Sequence, residues 1–330
     1  MKCTKQTTAI LAFCLLLALS GCGGAQSASV SDSELEASQT ETAAGETSFT
    51  VTDMTGRDIT LDGAATRVVA LTASDCEILY AVGAGDTLVG RGEYCDYPDE
   101  VASIPTVQSG ENTNIEQIIA LKPEVVLMSS MAQTEEQVEA LSNAGIQVVV
   151  SDATDIDGVY TAIELIGSVV GRGDQAEAVI QSMKQAFTDI EAKVPGDGSK
   201  TIYFEVSPLE YGLWTAGSGT FMDEMATMLG LKNAFADVEG WAEISQEQVI
   251  ERNPDYIVTI TIYDGQGDTP VEEIMGRQGW QSITAVQNGA VFNADSNEVS
   301  RPGPRLADAM ESLYGFVYGD GSTGAETAAA

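Results

Sequence analysis

Short β-branched runs and longer stretches with apolar residues at every third or fourth position take turns along most of this chain. The segment Phe49–Leu61, "FTVTDMTGRDITL", alternates apolar and polar positions around a glycine turn and predicts an edge hairpin. After it, "RVVAL", "TLVG", a short "TV", "VVLM" and "VVV" read as strands, with helices from Ser74, from Asn114 and over Thr134–Ala144. The second half repeats the theme. "TIYFEV" precedes helices from Thr220 and Ser245, then come "YIVTI" and "AVFN", and a last helix lies near Arg305–Val317 with Leu306, Ala309, Met310 and Leu313 on one face. Strand–helix alternation of this kind predicts parallel, doubly wound sheets. Between the halves, Ala176, Val179, Ile180, Met183, Phe187, Ile190 and Val194 form one helical stripe behind Asp174 and Glu177, a capping-box spacing. The pattern predicts one long helix joining two lobes, preceded by a shorter helix over Val159–Val170.

One stretch occurs twice. Asn114–Met128, "NIEQIIALKPEVVLM", aligns without a gap on Ser245–Thr259, "SQEQVIERNPDYIVT". Each copy opens on an N-cap residue with Gln three positions later, which predicts two capping boxes. Each stops before a proline, which pushes the preceding residue out of the helical region. Each then becomes a β-branched strand. The repeat implies two lobes of like construction related by an approximate twofold axis. Glu116 and Glu247 occupy the same place in both copies. The helix dipole alone favours a carboxylate there, yet two such acids on two related lobes would also suit a twofold-symmetric basic partner.

Composition narrows the function. Apolar residues make up 44% of the 330, enough for a core. The net charge of −35 argues against nucleic acid as the partner, because phosphate binding needs clustered Lys and Arg. There is no histidine, so Ser-His-Asp and Cys-His catalytic pairs and His-ligated metal or haem sites cannot be built. No Walker A, HExxH or nucleophile-elbow motif is present. Gly83–Leu88, "GAGDTL", has glycines like a dinucleotide turn but follows a helix and precedes a strand, the reverse of what phosphate binding needs. The expectation is a binding protein, not an enzyme. An acid–base enzyme on the same scaffold and a surface sensor are the rivals.

The N-terminus carries an address. Lys2 and Lys5 precede the apolar run Ala9–Leu19, a signal-peptide pattern. It leads into "LALSGC", which is similar to the lipobox of bacterial lipoproteins and makes Cys22 the candidate lipidation site. Residues 23–48 hold five acidic residues, no basic ones and almost no large apolar side chains, the composition of a flexible tether. Expected boundaries are therefore a signal peptide at 1–21, a tether at 22–48, a first lobe at 49–158, a connecting helical segment at 159–194, a second lobe at 195–318 and a loose tail at 319–330. Cys76 and Cys95 remain, either as a pair or as two free thiols.

Four stretches in order, "RVVALTASDCEILYAVGAGDTLVGRGEYCDYP", "NIEQIIALKPEVVL", "GWAEISQEQVIERNPDYIV" and "SRPGPRLADAMESL", resemble the type III substrate-binding lipoproteins of ABC importers, which carry cobalamin, ferric siderophores or haem. The likeness spans roughly Phe49 to Tyr318 and is greatest to the cobalamin carriers. It implies two α/β lobes, a single helical connection and a ligand cleft between the lobes. It also implies an extracytoplasmic protein, lipid-anchored to the cell membrane (in the periplasm if the host has an outer membrane), most simply a monomer, that partners an ABC permease dimer with its ATPase. In the cobalamin carriers a glutamate of each lobe docks on permease arginines, and these fall on Glu116 and Glu247. Tyr94, Trp241 and Arg301 fall on ligand-contacting positions and Trp214 on an aromatic one. Gly110 stands where those carriers have a tryptophan.

In parallel sheets ligands sit at the carboxyl ends of the strands. The loops expected there are rich in aromatics, and Tyr97 and Tyr263 join the candidates. Aromatic walls suit a large flat ligand. A tris-catecholate chelate is strongly anionic and needs several cations, whereas only Arg91 and Arg301 lie in these loops. The expected cargo is a cobalamin or other corrinoid, with a less charged ferric siderophore or haem as alternatives. Haem would need an axial Tyr or Met, with Tyr94 the first candidate. No intrinsic cofactor or resident metal is expected.

Overall fold

A computed structural model of the chain describes residues 48–319, apart from 111, 130–133 and 196–197. The signal peptide, Cys22, the tether through residue 47 and the tail from 320 lie outside the described residues. The expected hairpin is present: β1 (Phe49–Thr52) pairs antiparallel with β2 (Asp58–Leu61). Asp53 ties its turn, accepting from the Thr55 and Arg57 amides at 3.0 Å and from the Val150 amide at 3.2 Å.

The first sheet has the order β5-β4-β3-β6-β7 and is wholly parallel. Its strands are β3 (Val68–Ala70), β4 (Leu88–Gly92), β5 (Thr106–Val107), β6 (Val125–Met128) and β7 (Gln147–Val150). Helices α1 (Ala73–Ala81), α2 (Ile115–Leu121) and α3 (Glu135–Asn143) cover its faces. Continuous apolar strands such as β6, buried at every residue, are what a sheet covered on both sides requires. Two helices follow, α4 (Ile156–Val169) and α5 (Gly173–Glu191). At ~1.5 Å per residue, the nineteen residues of α5 make a rod of about 28 Å.

The second sheet differs from expectation. Its order is β11-β9-β8-β12-β13. Strands β8 (Thr201–Ser207), β12 (Tyr256–Thr259) and β13 (Val291–Asn293) are parallel, and β10 (Lys232–Asn233) adds to β8. But β9 (Leu213–Ala216) and β11 (Trp241–Ile244) form antiparallel ladders, so this sheet is mixed. The sequence places Trp214 and Trp241 in loops; both are strand residues. Helices α6 (Phe221–Met228), α7 (Gln246–Arg252), α8 (Pro270–Gly276) and α9 (Thr284–Asn288) pack on this sheet, and α10 (Ser296–Ser300) and α11 (Leu306–Tyr318) close the chain.

The two sheets match position by position, β3 with β8, β6 with β12, β4 with β9, and the repeated stretch forms α2–β6 and α7–β12. Both copies end their helix on a left-handed residue, Lys122 (φ 51°) and Asn253 (φ 46°), the only non-glycine residues with positive φ among those described. The acid after each proline caps the neighbouring strand. Glu124 accepts from the Thr66 amide at 2.7 Å, and Asp255 accepts from the Thr201 amide at 2.9 Å. Ser245 and Gln248 form the expected capping box. Asn114 accepts from the Gln117 backbone amide, but the Gln117 side chain donates through Nε2 to the Thr106 carbonyl at 2.7 Å instead of returning to Asn114, so that box is half made. The Asp174–Glu177 box does not form either. Helix α5 already starts at Gly173, so Asp174 lies inside its first turn, and Glu177 accepts from Gln181 at 2.7 Å. Helix α4 begins at Ile156, earlier than the expected Val159.

One apolar core runs through both halves. It joins α1, α4 and β3 of the first half to Ile180, Met183 and Phe187 of α5 and to Phe204, Met225 and Met310 of the second. Separate clusters fill the opposite faces of the sheets, one under α2 and α3, the other under α7, α8 and α9, where Trp280 is fully buried.

The left-handed pair gives a test. Lys122→Gly relieves a side chain from a region that costs ~1–2 kcal/mol for L-residues, offset in part by glycine's entropy, so a gain of up to about 1 kcal/mol is expected in urea unfolding. Asn253→Gly should show no such gain, because the Asn253 side chain accepts from the Thr284 amide at 2.7 Å.

Candidate functional site

Helix α2 runs from the β5 end back to the start of β6, so its first turn lies at the carboxyl ends of the strands; α7 is placed alike before β12. The carboxyl edges of the two sheets meet at a seam bridged at both ends. At one end, Arg301, after β13, donates to Glu77 on α1 at 2.9 Å and to Asp96, after β4, at 2.6 Å. At the other, the Phe221 amide donates to the Thr154 carbonyl at 2.9 Å and the Ile156 amide to Glu224 at 2.7 Å, joining the segment after β7 to α6.

The ladder of β9 and β11 projects along this seam. The last pair between β12 and β8 is Thr259 with Glu205, and Glu205 also pairs with Thr215, so β9 and β11 continue beyond the end of β12. In an antiparallel ladder, directly paired residues share a face and alternate along each strand. Trp241 pairs with Ala216, and Glu243 with Trp214, so both indoles stand on one face with Glu243. The other face carries Leu213 and Ile244 into the core. Trp214 and Trp241 remain 39% and 37% exposed, and Trp241 meets Phe221 edge-on at 5.6 Å between ring centroids.

The remaining candidates divide. Tyr94 is 77% exposed on the loop after β4, and its carbonyl accepts from Arg301 at 3.2 Å. Tyr97 lies under the Arg305 guanidinium at 4.2 Å and lines a hollow of about 460 Å3 with Glu77, Tyr80 and Pro304, beside α11 rather than beside the two tryptophans. Tyr263, after β12, is half-buried and donates to the Gly267 carbonyl at 3.2 Å. Arg301 Nη1 is committed to two carboxylates and its Nη2 to the Tyr94 carbonyl, and Arg91 donates to the Ile104 and Cys95 carbonyls. Glu116 and Glu247 are exposed in the first turns of α2 and α7. Its own backbone amide and the Ser245 hydroxyl hold the Glu247 carboxyl below the usual range, so it stays ionised. Cys76 and Cys95 are free, buried thiols that both point at the Ala70 carbonyl.

A model of the periplasmic binding protein family matches residues 68–298. The chain belongs to that family. This binding protein is 38% identical over 277 residues to the uncharacterized ABC transporter substrate-binding lipoprotein YvrC of Bacillus subtilis, covering 82% of this chain and 86% of that one. It is 31% identical over 253 residues to the vitamin B12-binding protein of Salmonella choleraesuis, covering 76% and 89%. Among solved structures it matches a possible iron-binding (periplasmic solute-binding) protein of Staphylococcus epidermidis with a TM-score of 0.65 and 33% identity, over 77% of this chain and 99% of that one.

Sequence reasoning missed two acids at the seam of this binding protein. Helix α1 is buried along most of its length, yet carries Asp75 and Glu77. Acids in so apolar a helix must find partners, and that was the available signal. Asp75 accepts from the Ser151 hydroxyl at 2.5 Å and from the Thr72 hydroxyl. Burial pushes its carboxyl up to about 6, against the two hydroxyl bonds that favour the ionised form. Between the ordinary value near 3.8 and about 6, the folded chain keeps a proton that the unfolded chain releases. Rising pH over that window therefore lowers stability, by on the order of 3 kcal/mol in all. Asp75→Asn should remove this slope. Its unfolding free energy relative to the native sequence should rise between pH 4 and 7, as measured by urea titration; a pH-independent difference would contradict the assignment.

Proposed function

We propose that the chain is the extracytoplasmic substrate-binding component of an ABC importer. Lipidated at Cys22 and tethered by residues 22–48, it captures a bulky, uncharged or weakly charged metal chelate between a first lobe (49–158) and a second (195–318). It passes that ligand to a permease dimer and its ATPase. The favoured ligand is a cobalamin or other corrinoid.

The observation that carries this reading is the pair of indoles, Trp214 and Trp241, on one face of a ladder that extends along the seam. Large aromatic side chains offer ~150–250 Å2 each to a flat apolar ligand. Charge supports the same choice. The arginines near the seam already have partners, Arg301 with Glu77 and Asp96, Arg305 with Glu77, and Arg91 of β4 with two carbonyls. An anionic ferric catecholate would have to break these bonds. The similarity to a vitamin B12-binding protein points the same way. A ferric siderophore of low charge, or haem held by Tyr94, is the second reading, favoured by the similarity to a possible iron-binding protein.

In this reading Glu116 and Glu247 are the docking acids. They begin equivalent helices on sheet faces turned away from the shared core. The connecting helix and the shared core would limit the lobes to small rocking motions.

Two measurements test the proposal. Calorimetry with cyanocobalamin should give saturable one-to-one binding, and Trp214→Ala with Trp241→Ala should weaken it by about 10- to 100-fold. Undiminished affinity in the double variant would sink the aromatic site. Glu116→Arg with Glu247→Arg should leave that affinity unchanged and abolish uptake in cells. A loss of affinity would remove the docking role.

A further inference from the structure

Glu77 holds two guanidinium groups that come from the other half of the molecule. Its side chain is 2% exposed. A carboxylate so buried needs paired charge to stay ionised. Arg305 supplies it side-on, with Nε at 2.9 Å from Oε2 and Nη2 at 2.7 Å from Oε1, the bidentate geometry that gives such pairs direction as well as strength. Arg301 reaches Oε1 through Nη1 at 2.9 Å. Each arginine then grips the rim loop of the first half. Arg301 Nη1 donates to Asp96 at 2.6 Å, and its Nη2 to the Tyr94 carbonyl at 3.2 Å. The Arg305 guanidinium lies 4.2 Å over the Tyr97 ring, a cation–π distance.

We infer that Glu77 is a positioning residue: it fastens Arg301 and Arg305 of the second half to the loop 94–97 of the first, setting Tyr94 at the ligand seam and closing the end of the seam beside β4 and β13. The inference deepens the ligand-binding reading and rests on it for the effect on affinity alone. The two cations balance the two carboxylates in direct contact with them, and Asp295 and Glu298 add further negative charge near Arg305, so the clasp offers no free positive charge to a ligand. Remove the Glu77 charge and two nearby guanidinium groups, each with a side chain only 13% exposed, lose the anion between them. They then repel, and the loop they hold is released. Asp96 is 56% exposed and, among the described residues, forms its ion pair with Arg301 and not with Arg305, so its loss should loosen the outer link alone.

The test compares the native protein, Glu77→Gln and Asp96→Asn by amide hydrogen exchange. In Glu77→Gln, amides of 94–98 and 300–306 should exchange about tenfold faster, while strands β3, β6, β8 and β12 keep their protection. In Asp96→Asn the change should be smaller and confined to 94–97. Unchanged exchange at 94–98 in Glu77→Gln would overturn the clasp. Equal loss of protection throughout both sheets would reduce Glu77 to a general stabiliser and overturn it as well. Affinity for cyanocobalamin should fall about tenfold in Glu77→Gln. Equal affinity in a variant whose loop exchanges faster would end the claim that the clasp positions the ligand site. If the native protein ignores cyanocobalamin while the exchange pattern is as described, the corrinoid reading fails and the clasp stands.

Discussion

Everything in this molecule depends on one apolar core being common to both sheets. Ile180, Met183 and Phe187 of α5 pack with side chains from either half, and Met310 of α11 belongs to the same cluster. At ~1.5–3 kcal/mol for each fully buried large aliphatic or aromatic side chain, this core outweighs the few polar bridges across the seam. It fixes which edges of the sheets meet. Because the core lies on one side and separate clusters fill the other, the carboxyl ends of the strands are left facing each other. A ligand can be enclosed there without unfolding anything.

That placement governs the chemistry of the seam. The chain carries a large negative charge, yet the seam is not simply acidic. Glu77 and Asp96 are matched by Arg301 and Arg305, and Asp75 is buried under two hydroxyl groups. Positive charge that could attract an anion is already consumed, and what stays exposed is three aromatics, Tyr94, Trp214 and Trp241, with Glu243 beside the two indoles. A surface of this kind selects by shape and apolar area. The deeper buried pair of the second half, Glu205 with Arg277, lies by contrast among Tyr203 and Trp280, on the sheet face turned away from the shared core.

Local patterns were legible in the sequence where one segment contains the whole cause. The hairpin at Phe49–Leu61, the stripe of α5 and the repeated helix–strand unit each follow from spacing within a few turns of chain, and each is present. The repeat proved to be a folding unit first: its proline, its left-handed residue and the acid after the proline are all used in the same way twice. What pairs distant segments was not legible. Strands β9 (LWTA) and β11 (WAEI) are four residues each, too short for any alternation to show, so their identity depends on finding each other across α6. The Arg301–Glu77 contact joins residues 224 apart, and the sequence shows only an arginine and an acid in a buried helix. Trp214 and Trp241 were singled out as residue types; that they share one face needed the register.

The most direct check of the account is the absorption spectrum of the full chain purified from its own host without added ligand. Corrin bands that persist through purification, and are lost in a variant with both Trp214 and Trp241 replaced by alanine, are the predicted result. A spectrum with protein absorption alone, from cells whose extracts contain corrinoid, would contradict a seam built for that class of cargo.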